Sequence, residues 1–346
     1  MRPYALLRVG FSYDRTVGMR RLTNTPVDLA VARDGTLFIL CRGAGMGFIR
    51  QLTLDDESPG AVNLMAGATQ IGGTHSVNGS FMWPASLVMD AEENLWVADE
   101  GTHQVSSFTK EGELIYQWGE FGAKDGQFNR PSGIAFDPDE NLYVVDTQNH
   151  RVQKFTMDGK VLMSFGGLGD GEGQLNMPWG IEVDELGDVY VSDWRNDRVQ
   201  KFTADGQFIF QFGGSGSEDG QFNRPSGVTV DRHGDIYVAD RGNNRVQLFN
   251  PGGGFVEKFI GDATLGKQAH GYMITNLMAL RLREMSSLEP QKRLRAPISV
   301  RVGGDGRMYI ADYGSHRIQV YKKEAYPLDS SEISAEPKSP SLYTQF

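Results

Sequence analysis

The chain has one cysteine, Cys41, and 6 histidines among 346 residues. A single cysteine excludes an internal disulfide framework, so the core must hold by packing, and the length allows a substantial one. No apolar run approaches the ~20 residues that a membrane-spanning helix needs. The N-terminal MRPYALLRVGFSYDRT is interrupted by charge before a signal-peptide core can form. A cytoplasmic location away from membranes is therefore expected. Blocks of like charge are also missing, and the net charge is −10. Nucleic-acid affinity draws on a cationic surface, so RNA is a disfavoured partner that only a local basic patch would permit. No Gly-x-Ser-x-Gly nucleophile elbow occurs. Cys41 ends the β-prone run TLFILC and is expected to be a buried, inert thiol.

What the chain has in plenty is glycine, 43 residues of it, together with internal repetition. DGQFNRPSG is written at 125–133 and again at 219–227, with the variant EGQLNMPWG midway at 172–180. Anchored on its proline, the frame recurs at Pro26, Pro84, Pro131, Pro178, Pro225 and Pro297. Fifteen residues beyond each proline lies an aspartate (Asp99, Asp146, Asp193, Asp240, Asp312), except in the first unit, where Cys41 stands. Within Pro131–Gly167, four short β-prone runs alternate with the turns DPDEN, TQNH and MDGK. Four strands repeating every 40–50 residues are the signature of a propeller blade.

The expected fold is all-β: a six-bladed β-propeller of four-stranded antiparallel blades within residues 1–323. The sixth unit supplies only three strands, and an open ring would leave an unpaired edge. Tyr4–Val9, followed by Gly10 and a loop, is expected to complete it. The proline spacings of 58, 47, 47, 47 and 72 place extra residues at about 67–82 and 261–296. Both insertions join a fourth strand to the next first strand, and so emerge on one side, the proline face. In the second, Ile274, Leu277, Met278 and Met285 fall near helical spacing, which predicts one helix over roughly Met273–Met285 between blades five and six. Residues 324–346, rich in Ser, Pro and Glu, read as a flexible tail.

The units GIAFDPDENLYVVDTQNHRVQKF and GVTVDRHGDIYVADRGNNRVQLF resemble the NHL-repeat family. The resemblance covers about residues 24–322 and implies a six-bladed propeller. It leaves function open, because one fold hosts many activities. Related propellers include metal-dependent lyases and lactone hydrolases that work in the central channel, and RNA-binding proteins with a basic face. The amidating lyases carry zinc histidines directly after the repeat proline. Here those positions hold Val27, Ala85, Ser132, Trp179, Ser226 and Ile298, so that activity is not expected.

Most candidate chemistry dissolves into the repeat. The five aspartates are expected to accept hydrogen bonds, with Arg151, Arg198, Arg245 and Arg317 as partners. His103, His150 and His316 share a frame position with Asp197 and Asn244. These are the side chains that tolerate left-handed backbone, so a turn rather than zinc accounts for them. Asp90, Asp137, Asp184 and Asp231 read as turn openers. The run GGLGDGEG at 166–173 precedes a strand rather than a helix and lacks a phosphate-binding helix end. No cofactor or metal is expected. What remains is a set of non-repeating aromatics, Trp83, Trp179, Trp194 and Tyr313, interleaved with Arg130, Arg195, Arg224 and Arg241, all in loops of the proline face. Aromatics and arginines in exposed loops suit binding. The sequence therefore points to a monomeric, non-catalytic scaffold that binds a partner protein or a small anionic or aromatic ligand there. A metal-dependent propeller enzyme and single-stranded RNA binding are the alternatives.

Overall fold

The computed structural model describes residues 7–18, 20, 22–43, 46–57, 70–71, 81–267, 271, 278, 281 and 289–327. Strand β1 (Leu7–Val17) comes first. Blade one follows as β2 (Pro26–Val31), β3 (Leu37–Gly43), β4 (Met46–Leu52) and the short β5 (Gln70–Ile71). Blade two holds β6 (Pro84–Met89), β7 (Leu95–Asp99), β8 (Gln104–Phe108) and β9 (Leu114–Trp118). Blade three holds β10 (Pro131–Phe136), β11 (Leu142–Asp146), β12 (Arg151–Phe155) and β13 (Val161–Gly166). Blade four is β14 (Pro178–Val183), β15 (Val189–Asp193), β16 (Arg198–Phe202) and β17 (Phe208–Gly213). Blade five is β18 (Pro225–Val230), β19 (Ile236–Asp240), β20 (Arg245–Phe249) and β21 (Phe255–Phe259). Blade six contributes β22 (Pro297–Val302), β23 (Arg307–Asp312) and β24 (Arg317–Pro327).

Each blade is a four-stranded antiparallel sheet, and the sixth has the order β1-β24-β23-β22. The first strands touch in sequence, β2 to β6 and on to β22, and β22 returns to β2, which closes the ring. The N-terminus does complete blade six, but its strand is displaced from the expected Tyr4–Val9. It runs from Leu7 to Val17, with a register shift between Tyr13 and Arg15. Gly10 is a strand residue opposite Glu324 rather than the start of a loop. Tyr4, Ala5 and Leu6 lie outside the described residues. The partner strand reaches Pro327, beyond the expected tail boundary at 324. Aromatic packing anchors the added strand length: Phe11 meets Phe259 of blade five edge-on, and Tyr13 meets its strand partner Tyr321.

The repeated phrase has a physical account. Phe128 and Phe222 are fully buried between strands. The Gly126 N–H donates to Gln153 at 3.0 Å, and the Asn129 N–H donates to Asp146 at 2.7 Å. Arg130 takes φ 58° and turns the chain into β10. The glycine two residues after the proline lets neighbouring blades meet: a Cβ at Gly180 would lie 2.2 Å from the Ser226 carbonyl oxygen. Layers of aromatic residues, with Tyr143, Tyr190, Tyr237 and Tyr309 almost wholly buried, fill the spaces between sheets.

The insertion before blade six leaves and returns at one point. Leu294 N–H donates to Ile260, and Ala263 N–H to Lys292. A short helix α1 (Glu289–Lys292) contains Pro290. Proline is tolerated in a first turn, where its missing N–H has no partner to lose. Met278 and Arg281 are helical; the remainder of the predicted Met273–Met285 helix lies outside the described residues.

Candidate functional site: the mouth on the proline face

Much of what recurs in each blade is structural. Asp146, Asp193, Asp240 and Asp312 are fully buried, and each takes an N–H from the loop before the proline at 2.7–2.8 Å. Their second oxygens accept from the Nε atoms of Arg151, Arg198, Arg245 and Arg317 at 2.7–2.9 Å, the expected pairing. Asp90, Asp137, Asp184 and Asp231 accept N–H bonds from residues two and four positions on, as turn openers do.

His103, His150, Asp197, Asn244 and His316 all have φ between 51° and 60°. They also have a second duty that the sequence did not reveal. Each accepts, at 2.6–3.1 Å, the N–H of the residue before the next blade's proline: Arg130, Met177, Arg224, Ala296 and Thr25. They are latches between blades, and His316 fastens blade six to blade one. A latching histidine must present an unprotonated Nδ1. Burial lowers the pKa of His150 and His316 and so favours that state. Among the described residues, no group of three His, Cys, Asp or Glu side chains is placed to hold a metal ion. Cys41 is fully buried, and burial pushes its thiol up to about 12.

The residues that do not repeat cluster around the channel mouth. One frame position, directly after the fifteenth residue from the proline, contributes Arg42, Glu100, Thr147, Trp194, Arg241 and Tyr313, one per blade. All of these side chains except Thr147 make ion-pair or cation–π contacts with other mouth residues. The Arg42 guanidinium lies 4.4 Å from the Trp83 ring centre and donates to Glu100 at 3.1 Å. Arg130 donates twice to the other Glu100 oxygen, at 3.1 and 2.6 Å. Glu100 is buried, so it is the floor carboxylate for both arginines. Across the mouth, Arg224 and Arg195 flank the Trp194 ring at 5.1 and 5.7 Å, and Trp179 leans on Trp194 with ring centres 6.3 Å apart. Arg241 sits 5.8 Å from the Tyr313 ring. Burial, together with the Arg42 and Arg224 charges, lowers the Arg241 pKa, against the opposing pull of Tyr313 and Glu100. Side chains from blades one, two, five and six therefore share one electrostatic environment.

The candidate residues are thus brought together, with two qualifications. Arg130 is committed to Glu100. Trp179 is partly a packing residue, set against the core shared by blades one, two and six. Two members, Arg42 and Glu100, were missed. Comparing the sixteenth residue after each repeat proline would have exposed both.

Beneath the mouth, the channel keeps about 20 Å³ of free space, room for about one water. Asp28, Glu182 and Arg301, from first strands β2, β14 and β22, close it. Arg301 donates to both Asp28 oxygens, at 2.9 and 2.6 Å, and reaches Glu182 at 3.3 Å. Burial raises the Glu182 pKa, partly offset by Arg301 and Thr229. Blade four lies opposite blade one, so one side chain ties the two sides of the ring. This triad was also missed, because its members stand in three different blades and meet only when the ring closes.

With the geometry in place, four stretches, 128–155, 175–202, 222–249 and 294–321, match the NHL repeat family model. The chain carries four NHL repeats within a six-bladed propeller. No curated protein sequence matches it. Solved structures with a similar fold include virginiamycin B lyase from Staphylococcus aureus, as a catalytically inactive variant with quinupristin. It is 14% identical with TM-score 0.55, over 94% of this chain and 90% of that one. A streptogramin B lyase is 12% identical with TM-score 0.55, over 94% and 100%. A protein of unknown function from Bacteroides thetaiotaomicron VPI-5482 is 18% identical with TM-score 0.62, over 92% and 76%. At these identities the likeness concerns the fold alone. The NHL matches fall on blades three to six, where the Asp–Arg–Gln frame is complete.

Proposed function

We propose that this NHL propeller is a binding module whose proline-face mouth takes up a ligand or partner. The observation that carries the reading is the contrast within one repeat. Where every blade needs the same residue for its fold, the chain repeats it. At the mouth position it writes Arg, Glu, Thr, Trp, Arg and Tyr, and all but the Thr lie against other mouth side chains. Aromatics and arginines in such settings are the residues that dominate binding energy.

The test is a thermal-shift screen of a small-molecule library on the whole chain. It is repeated on an Arg241→Gln/Trp194→Ala variant and on a Leu186→Ser control. Leu186 is an exposed turn residue on the opposite face. Hits should lose their effect in the mouth variant and keep it in the control. Hits indifferent to the mouth variant would contradict the assignment.

A further inference from the structure

We infer that the mouth recognises a small planar aromatic molecule bearing an anionic group, such as a carboxylate or phosphate. The inference rests on the binding reading above and narrows its ligand class.

Three features of the mouth converge on it. First, the mouth has more cation than it can pair. Arg42, Arg130, Arg195, Arg224 and Arg241 lie at the mouth in a protein of net charge −10, and among the described residues Glu100, paired with Arg42 and Arg130, is the one carboxylate that forms an ion pair with any of them. The Arg195, Arg224 and Arg241 guanidinium groups contact only ring faces. Among the described residues no carboxylate pairs with them. Arg241 is half-buried, and taking its charge partly out of water is unfavourable until an anion arrives.

Second, the mouth has donors without acceptors. Trp194 Nε1 and Arg42 Nε are shielded from solvent and have no hydrogen-bond partner. Both atoms can only donate. Native proteins leave few such groups unmet, and an acceptor reaches these two only when the Arg42 and Trp194 side chains shift.

Third, the shape suits a ring. Trp83, Trp194 and Tyr313 offer rigid planar surfaces at the same mouth. Below them the side chains after the prolines are small, apart from Trp179 and Ile298, and the Asp28–Arg301–Glu182 tie blocks passage deeper. A ligand seated here therefore rests above the plug. Its ring lies among the aromatics and its anion points to Arg241 and Arg224.

The probe pair is 2-naphthoate and its neutral isostere 2-naphthamide, titrated by calorimetry into the whole chain at low salt. The naphthoate is expected to bind at least tenfold more tightly than the amide. Arg241→Gln, and separately Arg224→Gln at an exposed site, should each weaken the naphthoate several-fold and leave the amide unchanged. Equal binding of acid and amide, lost in Trp194→Ala, would overturn the anionic class while leaving the mouth as a binding site. Binding of neither probe, with screening hits that still map to the mouth, would overturn the aromatic-anion inference alone. Binding of neither probe, with no mouth-dependent hits, would overturn both. Naphthoate binding indifferent to all three substitutions would place its site elsewhere and also overturn both.

Discussion

Arg301→Met is the sharpest test of how the ring is held at its centre. In the native protein Arg301 satisfies two carboxylates on opposite sides of the channel, and its side chain is only 16% exposed. Methionine keeps most of the volume and removes the charge. Asp28 retains three donors, from Ser86 Oγ and the Leu29 and Leu87 N–H groups. Glu182 keeps Thr229 and a long bond from the Val183 N–H. Two buried carboxylates then face each other without a cation, a situation that costs about 3–5 kcal/mol. Spread over the unfolding entropy of a chain this long, the loss corresponds to a fall in Tm of about 4–7 °C. The pH dependence supplies the sign. Glu182 already has a raised pKa, and losing Arg301 raises it further. A carboxyl raised on folding contributes stability that is full below its unfolded pKa, near ~4.3, and is lost as pH rises through its folded value. The variant's deficit should therefore be largest near neutrality and shrink on acidification. Adding Glu182→Gln should recover part of it at pH 7. Urea denaturation of the single and double variants from pH 5 to 8 measures both. A loss below ~1 kcal/mol, or a deficit that grows as pH falls, would refute the reasoning.

The latches predict that His316→Asn is tolerated, since Asn244 does the same job in blade five, whereas His316→Ala costs about 1 kcal/mol in denaturant melts. Because burial lowers the His150 and His316 pKa values, the unfolded chain takes up protons first; stability should fall as pH drops below about 6.5 and be full above it, seen as a declining Tm. Asp240→Ala removes the buried carboxylate of Arg245, which keeps only the more exposed Asp219 at 3.6 Å, and should destabilise by about 3 kcal/mol in the same assay. Gly180→Ala places a Cβ 2.2 Å from a carbonyl oxygen of blade five and should cost about 1–3 kcal/mol, with the shift visible in thermal melts.

These predictions divide along the line that separates what the sequence discloses from what it hides. Asp146 and Arg151 could be paired on paper because the same two letters stand in the same places in several blades, and a recurring pair has a recurring cause. The blade count, the closure by the N-terminus and the turn-opening aspartates follow from the same reasoning. Periodicity says less about where a strand stops. Gly10 reads as a break, yet it lies mid-strand, because the partner strand runs on past Tyr321 and offers β1 a long edge to pair with. The latches were half legible: left-handed backbone accounts for His, Asp and Asn at one position, but the N–H each receives comes from the next blade, across a boundary that a single repeat does not contain. Arg301, Asp28 and Glu182 were invisible for the same reason, since each is ordinary within its own blade and the three meet only when the ring closes. Arg42 and Glu100 were a different kind of omission. They occupy the frame position of Trp194, Arg241 and Tyr313, and only the missing aspartate of blade one and the different loop of blade two drew attention away from them. In a closed repeat, then, a residue's meaning is fixed by two coordinates, its place in the frame and the blade that carries it. Frame positions that stay constant hold the blades together. A frame position that changes from each blade to the next and still converges on the axis has no such common structural duty, and that is the physical ground for placing recognition at the mouth.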